Sequence, residues 1–318
     1  MLGGDILGKI ISKIADYTRE TDKLLLIFCV IATGYGCVAV FSATRYLESS
    51  RPLIVQGLSL ILGIAVAVVI STFDFDTFIN RWYFIAPIGL IPVILTFFIG
   101  FAPEGTDDKA WLDLGITTFQ PAELLKICFI ITFSMHLSRV KKDINKPKNI
   151  LLLCLHGAFP VLLIHFQGDD GTAIVFAAMF LAMMFAAGVS WKYFLSAFVI
   201  ALVGSPFLYF FILNDDQRSR IVNMLNLNEN LLDANYQQYR ARIALANGGF
   251  FGTGLFKGPL TSHHGVPEGQ NDFIFVSIGE ELGFIGCMLV IVLLAVICLR
   301  VIRVARICTK DSGKFICV

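Results

Sequence analysis

Four stretches of this 318-residue chain set ionisable groups at spacings that can do chemistry. In FQPAELLK, Glu123 and Lys126 stand three residues apart, so on a helix both project from one face and partly neutralise each other. Pro121 suits the first turn, where its missing N–H costs little. The pair reads equally well as an ion pair locking helices together and as a direct contact to a substrate. Just upstream, KAWLDLG places Trp111 between Lys109 and Asp113. Such a Trp is an interfacial anchor or a platform for a sugar or a lipid headgroup. QGDDGT (167–172) is a tight turn between two apolar runs, and Asp169 is its candidate functional group. The alternative is a plain solvated turn. VPEGQNDFIF brings Glu268 and Asp272 to the mouth of the last apolar run. Asp272 falls in the first turn of that expected helix, where a carboxylate can simply complement the helix dipole. Glu280 and Glu281 follow about two turns deeper, roughly 12 Å by helix rise. NGGFFGTG (247–254) reads as a flexible turn. It lacks the Lys-Ser/Thr ending of a phosphate loop and the strand–helix setting of a dinucleotide site. His263 and His264 diverge on any regular element and read as loop residues.

The elements that must hold these groups are apolar. The chain is 56% hydrophobic and 15% charged, with a mean hydropathy of +0.75, against about 45–50% and about 25% in soluble domains. A net charge of +1 gives no global field for nucleic acid. Crossing a hydrocarbon core takes roughly 20 apolar residues, and runs of that kind lie at 24–43, 53–72, 82–102, 119–138, 150–167, 171–189, 193–213 and 273–299. The fold class is therefore all-α, a polytopic transmembrane helical bundle of about eight spans forming one membrane domain over 1–318. The charged segment before the first run (Lys9, Lys13, Arg19, Lys23) does not resemble a cleaved leader. Residues 2–16 read either as a helix lying on the membrane surface or as a disordered tail. The distribution of basic residues sets the orientation. Arg139, Lys141, Lys142, Lys146 and Lys148 fall on the cytoplasmic side, with 1–22 and the basic C-terminal segment. The loop at 103–118 and the long loop at 214–272 fall on the other side. Ordered loops of that length are usually functional.

At these residues the chain resembles the SEDS family of bacterial membrane proteins, which includes RodA, FtsW and SpoVE, with an overall likeness leaning to RodA. The resemblance rests on WLDLGITTFQPAELLK (111–126), GDDGTAIVF (168–176), DDQRSRI (215–221), NGGFFGTGLFKG (247–258) and PEGQNDFIFVSIGEELGFIG (267–286), in family order across nearly the whole chain. It implies a peptidoglycan glycosyltransferase of the bacterial cytoplasmic membrane that polymerises lipid II at the outer face, among membrane lipids. The implied partner is a class B penicillin-binding protein. The resemblance puts the family's essential loop aspartate on Asp272 and its outer-loop tryptophan on Trp111. Its carboxylate and following lysine fall on Glu123 and Lys126, the aspartate of its PDLGT segment on Asp169, and its paired arginines on Arg218 and Arg220. The family's His-Thr before the key aspartate is Gln270-Asn271 here, and its Gln-Ser upstream of the glycine cluster is Arg240-Ala241. The family has ten helices, and this chain, which reaches Val318 shortly after its eighth span, is expected to lack the last two. In the implied reaction Asp272 takes a proton from the attacking sugar hydroxyl. Glu268 and Lys109 join the substrate-binding set, and Lys109, Arg218 and Arg220 offset the charge of the departing pyrophosphate. A divalent cation, Mg²⁺ or Mn²⁺, would assist there; no organic cofactor is implied. A noncatalytic scaffold or truncated, inactive member of the elongation or division machinery is the first competing reading, and a lipid II flippase or transporter the second.

Overall fold

The computed structural model describes residues 22–47, 51–71, 73, 75–102, 108–115, 118–226 and 235–318. The segment expected on the membrane surface, 2–16, lies outside them. Thirteen helices run through the described residues in chain order. They are α1 (Lys23–Ala43), α2 (Arg51–Ser71), α3 (Phe75–Asn80), α4 (Trp82–Ile99), α5 (Pro121–Val140), α6 (Pro147–His165) and α7 (Asp170–Ala186). After them come α8 (Trp191–Phe207), α9 (Asp215–Leu225), α10 (Tyr236–Gly248), α11 (Pro259–Ser262), α12 (Ile274–Ile307) and α13 (Asp311–Ile316). Between α4 and α5, β1 (Leu112–Asp113) and β2 (Thr118–Phe119) make a small antiparallel hairpin. Among the described residues seven helices are long and apolar enough to cross a membrane, and α7, at 17 residues, is a shorter apolar one. This is the expected all-α, multi-pass architecture, with helix ends shifted by a few residues. Pro206 lies near the end of α8, and the next turn, Leu208–Ile212, widens to a π-helix. Proline cannot supply the regular helical bond, so a local distortion is expected there. The span 214–272, expected as one long loop, contains α9, α10 and α11.

The chain packs as two compact units, Met1–Thr72 with Val199–Arg300, and Phe73–Phe198 with Val301–Val318. In the second unit α5 supplies the centre. Phe129, Phe133 and Leu137 meet Leu153 and Ile164 of α6 and Phe176 and Met183 of α7. The rings of Phe129 and Phe133 stack at 5.1 Å between centroids. The short α13 folds back onto α5, burying Phe315 in the same core and pairing Asp311 with Lys141.

The first unit is built on α1 and α12, which run antiparallel and are tied at three levels. At one end both carboxylate oxygens of Asp22 accept from Arg300 Nη2 at 2.6 Å. Asp22 also caps α1 through the Leu25 amide at 3.1 Å. In the middle Tyr35 donates to the Gly286 carbonyl at 3.3 Å. At the far end Ser42 Oγ donates to Glu281 Oε1 at 2.6 Å, and both residues are buried. From Asp22 to Ser42 the helical rise is about 30 Å, the thickness of a hydrocarbon core. The first and last of these ties are therefore spaced by about the thickness of such a slab. No residue of α2 is buried, so that helix presents apolar side chains all round, as a lipid-facing span does.

The Arg300 guanidinium, then the Leu25 amide, hold the Asp22 carboxyl below the usual carboxylate range. A depressed folded-state value means the stabilisation is complete above the unfolded value near about 4 and is lost as pH falls through the lower folded value. Asp22→Asn should therefore lower the thermal midpoint of the detergent-solubilised protein at neutral pH. The gap to wild type should close as pH drops below about 4. An equal gap at pH 7 and pH 3 would show that the tie does not depend on charge.

Candidate functional site

At the far end of α12 the helix is broken. Gly283 has φ 65° and ψ −160°, a conformation open to glycine, and the regular backbone bonds lapse around it. The glycine cluster after α10 fills the gap. The amides of Thr253 and Gly254 donate to the freed carbonyls of Glu280 (3.0 Å) and Glu281 (2.9 Å). The amides of Phe284 and Ile285 donate back to Gly249 O (3.0 Å) and Phe250 O (3.4 Å). NGGFFGTG is thus a fixed plug, and the expectation of a flexible turn is corrected. Glycines serve close approach here as well: a Cβ on Gly248 would run into the Gly279 carbonyl. The Glu280 side chain, with no solvent exposure, ties down the chain on either side of the plug. Its carboxylate accepts from Thr261 N (2.7 Å), Thr261 Oγ1 (2.8 Å), Leu260 N (3.1 Å) and Asn247 Nδ2 (3.4 Å). Sequence reasoning placed Glu280 by depth alone. The signal it held was a pair of acids beside a glycine inside an apolar run.

Beyond the plug stands the turn that carries Glu268 and Asp272. The helix begins at Ile274, so Asp272 precedes it instead of occupying its first turn. Glu268, though not glycine, has φ 53°. Its carbonyl accepts from the amides of Asn271 (3.0 Å) and Phe273 (3.1 Å). Its Oε2 accepts from Asn271 Nδ2 (2.7 Å) and Gln270 Nε2 (3.5 Å). Ser277 Oγ fixes the Gly269 carbonyl at 2.9 Å, and Arg240 Nε fixes that of Gly265 at 2.6 Å. Asp272 is exposed, and among the described residues its carboxylate has no hydrogen-bond or ion-pair partner. It is the uncommitted acid of a tightly held turn. The chain leaving α1 reaches the same region. Arg45 Nη1 donates to the Phe256 carbonyl at 3.0 Å. Tyr46 lies against His264, ring centroids 4.6 Å apart, and its hydroxyl donates to Gln270 Oε1 at 3.4 Å. Arg218 is otherwise engaged. Its Nε and Nη2 close the π turn on the carbonyls of Tyr209 (2.9 Å) and Phe210 (3.0 Å), and Nη1 meets Asp215 at 3.3 Å. Arg220 lies on the same helix, and its side chain is outside the described residues.

The second unit gathers the other candidates at one end, where α4 and α6 finish and α5 and α7 begin. Trp111 is half-buried and paired through its backbone with Phe101 (3.0 and 3.4 Å), while Lys109 is exposed. The hairpin then leads into Gln120, whose side-chain amide donates to Asp169 Oδ2 at 2.7 Å. Asp169 Oδ1 accepts from the Thr172 amide at 2.9 Å, so this residue caps α7. The GDDGT turn is a short, capped entry into a helix. Gln167, unremarked in the sequence, is buried with its amide on the Val93 carbonyl (3.1 Å) and the Thr96 hydroxyl. Pro121 opens α5 as expected. Lys126 Nζ meets Glu123 Oε1 at 2.7 Å, with 57% of the Glu123 side chain exposed and 24% of that of Lys126. Among the described residues the two pair with each other along α5 without bridging to another helix, and the acid faces outward.

The family model described as "Cell cycle protein", covering FtsW, RodA and SpoVE, matches residues 22–318. A probable peptidoglycan glycosyltransferase FtsW of Geobacter metallireducens is 30% identical over 312 residues, 93% of this chain and 80% of that one. The peptidoglycan glycosyltransferase MrdB of Escherichia coli K12 is 32% identical over 208 residues, 65% of this chain; the matched part spans 55% of MrdB. Among solved structures, a chain from a peptidoglycan synthase complex studied for its coordination of polymerization and crosslinking superposes with a TM-score of 0.79. It is 21% identical, and the match covers 94% of this chain and 82% of that one. The rod shape determining protein RodA of Thermus thermophilus gives a TM-score of 0.65 at 20% identity, covering 94% of this chain and 79% of that one. At those identities the structures speak for the fold.

Gly283→Ala would set a Cβ against the Gly252 amide and 2.6 Å from the Phe250 carbonyl oxygen, at a positive φ. A backbone conformation of this kind costs of order 1–3 kcal/mol in an L-residue. The variant should lose thermal stability and become sensitive to protease within 249–258. Unchanged melting and unchanged cleavage would mean that the plug is not what holds the break.

Proposed function

On the premise that the chain belongs to the FtsW/RodA/SpoVE cell cycle protein family, we propose that it is a peptidoglycan glycosyltransferase that polymerises lipid II at the outer face of the bacterial cytoplasmic membrane. A class B penicillin-binding protein is the proposed partner, and the N-terminus is placed in the cytoplasm. The observation that carries this reading is Asp272: a motif residue with an open carboxylate, on the end of the first unit opposite Asp22.

Chain extension forms a bond between a sugar hydroxyl oxygen and an anomeric carbon and breaks the bond from that carbon to the lipid pyrophosphate. Asp272 would take the hydroxyl proton as the new bond forms, general-base assistance worth about 10²–10⁴-fold. An acid without internal partners, on a turn held by bonds from Asn271, Gln270 and Ser277, suits that role because little reorganisation is needed. Trp111 would stack on a sugar, and Lys109, Glu123, Lys126 and Asp169 would contact the substrate from their own end of the second unit. Glu268 shapes the base's turn and stands beside the substrate. Arg218 enters the reading chiefly as the residue that closes the π turn; Arg220 and Lys109 remain candidates for offsetting phosphate charge. Among the described residues no group of three or more His, Cys, Asp or Glu converges. Magnesium, however, commonly takes only one or two carboxylates together with substrate phosphates. Glu268, whose Oε1 carries no hydrogen bond among the described residues, would offer such a carboxylate to Mg²⁺ or Mn²⁺, leaving Asp272 to take the proton, and a bound ion would offset charge on the leaving pyrophosphate.

The test is a gel assay on the reconstituted protein with its penicillin-binding partner and lipid II. Wild type should give a glycan ladder. Asp272→Asn should lose at least about 100-fold in rate while melting like wild type. Wild-type product from the variant would remove Asp272 from the mechanism. Lipid II crossing vesicles with no ladder would favour a transporter, and no turnover in either assay would favour a scaffold.

A further inference from the structure

We propose that Tyr46 is a positioning residue for Asp272, acting through Gln270 and Glu268; the proposal rests on the reading of Asp272 as the base. Tyr46 follows the end of α1, in the single turn Arg45–Leu47 that carries the chain across the end of the helix. It touches the Asp272 turn twice: the ring packs on His264 (4.6 Å), and the hydroxyl donates to Gln270 Oε1 (3.4 Å). These contacts fall on either side of Glu268, the residue held at φ 53°. A non-glycine residue persists there only when its surroundings over-determine it. The Gln270 side-chain amide faces both ways, accepting from Tyr46 through Oε1 and donating to Glu268 Oε2 through Nε2 at 3.5 Å. Asn271 Nδ2 completes the set on the same Glu268 oxygen at 2.7 Å. A chain of hydrogen bonds thus runs from the end of α1, through Gln270, to the carboxylate and backbone that shape the turn leading into Asp272. Burial, then the charge of Glu268, pushes the Tyr46 phenol up, which keeps it a donor.

The two side chains that converge on Glu268, Gln270 and Asn271, are the two positions where this chain departs from the His-Thr of the family pattern. Tyr46 gives that departure a physical partner. The turn is held by an amide pair and a tyrosine from the end of the first helix, and the aim of Asp272 depends on a residue 224 positions from Gln270 in sequence.

Tyr46→Phe removes the hydroxyl and keeps the ring; Gln270→Ala removes the middle of the chain. Both are assayed on the full-length reconstituted protein with lipid II, singly and together. Tyr46→Phe should lower kcat about three- to tenfold, the worth of one net hydrogen bond, with KM for lipid II unchanged. The double variant should be no slower than Gln270→Ala alone, because both act through one link. Amide exchange over 264–273 should quicken by a similar factor in Tyr46→Phe, while α10 (236–248) exchanges as in wild type. Wild-type kcat with wild-type exchange in Tyr46→Phe would overturn the proposal. So would losses that simply add in the double variant, or faster exchange spread over the whole protein, which would mark a merely structural residue. If Tyr46→Phe is poorly folded, Gln270→Ala alone must show the same kcat loss and the same local exchange, or the proposal fails. If wild type itself makes no polymer, the assigned function falls, and the exchange measurement still decides whether Tyr46 holds the turn.

Discussion

A peptide group inside an apolar slab must find its hydrogen bond within the protein, since lipid offers none. The break at Gly283 frees two carbonyls and two amides of α12 close to the Ser42–Glu281 tie, and the loop at 249–254 answers all four. The rest of the first unit's functional end depends on that exchange. Because the loop is committed to the break, Asn247 and α11 come within reach of Glu280. Because Glu280 is saturated by them, the chain entering the 266–273 turn has a fixed start. The acid that the proposed chemistry needs is free because its neighbours are not.

The long apolar helices could be read from composition and length, since a run of about twenty apolar residues has few other homes. Their number was legible for the same reason, with α7 at the margin because it has only 17 residues. The helices α9 and α10 were not, because short polar segments draw much of their stability from what they pack on. The motif residues could be named, yet their local duties could not. Asp169 was visible as an acid in a glycine-flanked turn, but its cap on Thr172 shows only in the folded turn, and its bond from Gln120 spans 49 residues of sequence. The glycine cluster misled for a similar reason. Glycines side by side suggest freedom when read locally, whereas here they permit close approach to a distant helix.

The candidate cations divide in a way that residue type alone does not forecast. Arg218 is held by the carbonyls at the end of its own preceding turn, and Lys126 is neutralised by Glu123. Lys109 stands exposed. An arginine that saturates a distorted helix end serves the backbone, and the π turn after Pro206 is the distortion that calls for it. Motif membership therefore marks a position as worth keeping without separating chemistry from scaffolding.

The ties between α1 and α12 also bear on how the protein is made. Asp22 and Ser42 are made 278 and 239 residues ahead of Arg300 and Glu281. Contacts of such long sequence separation close late. Until α12 is made, α1 must therefore wait beside lipid with a carboxylate and a hydroxyl lacking their eventual partners. The first unit acquires its native polar pairing only as α12 arrives.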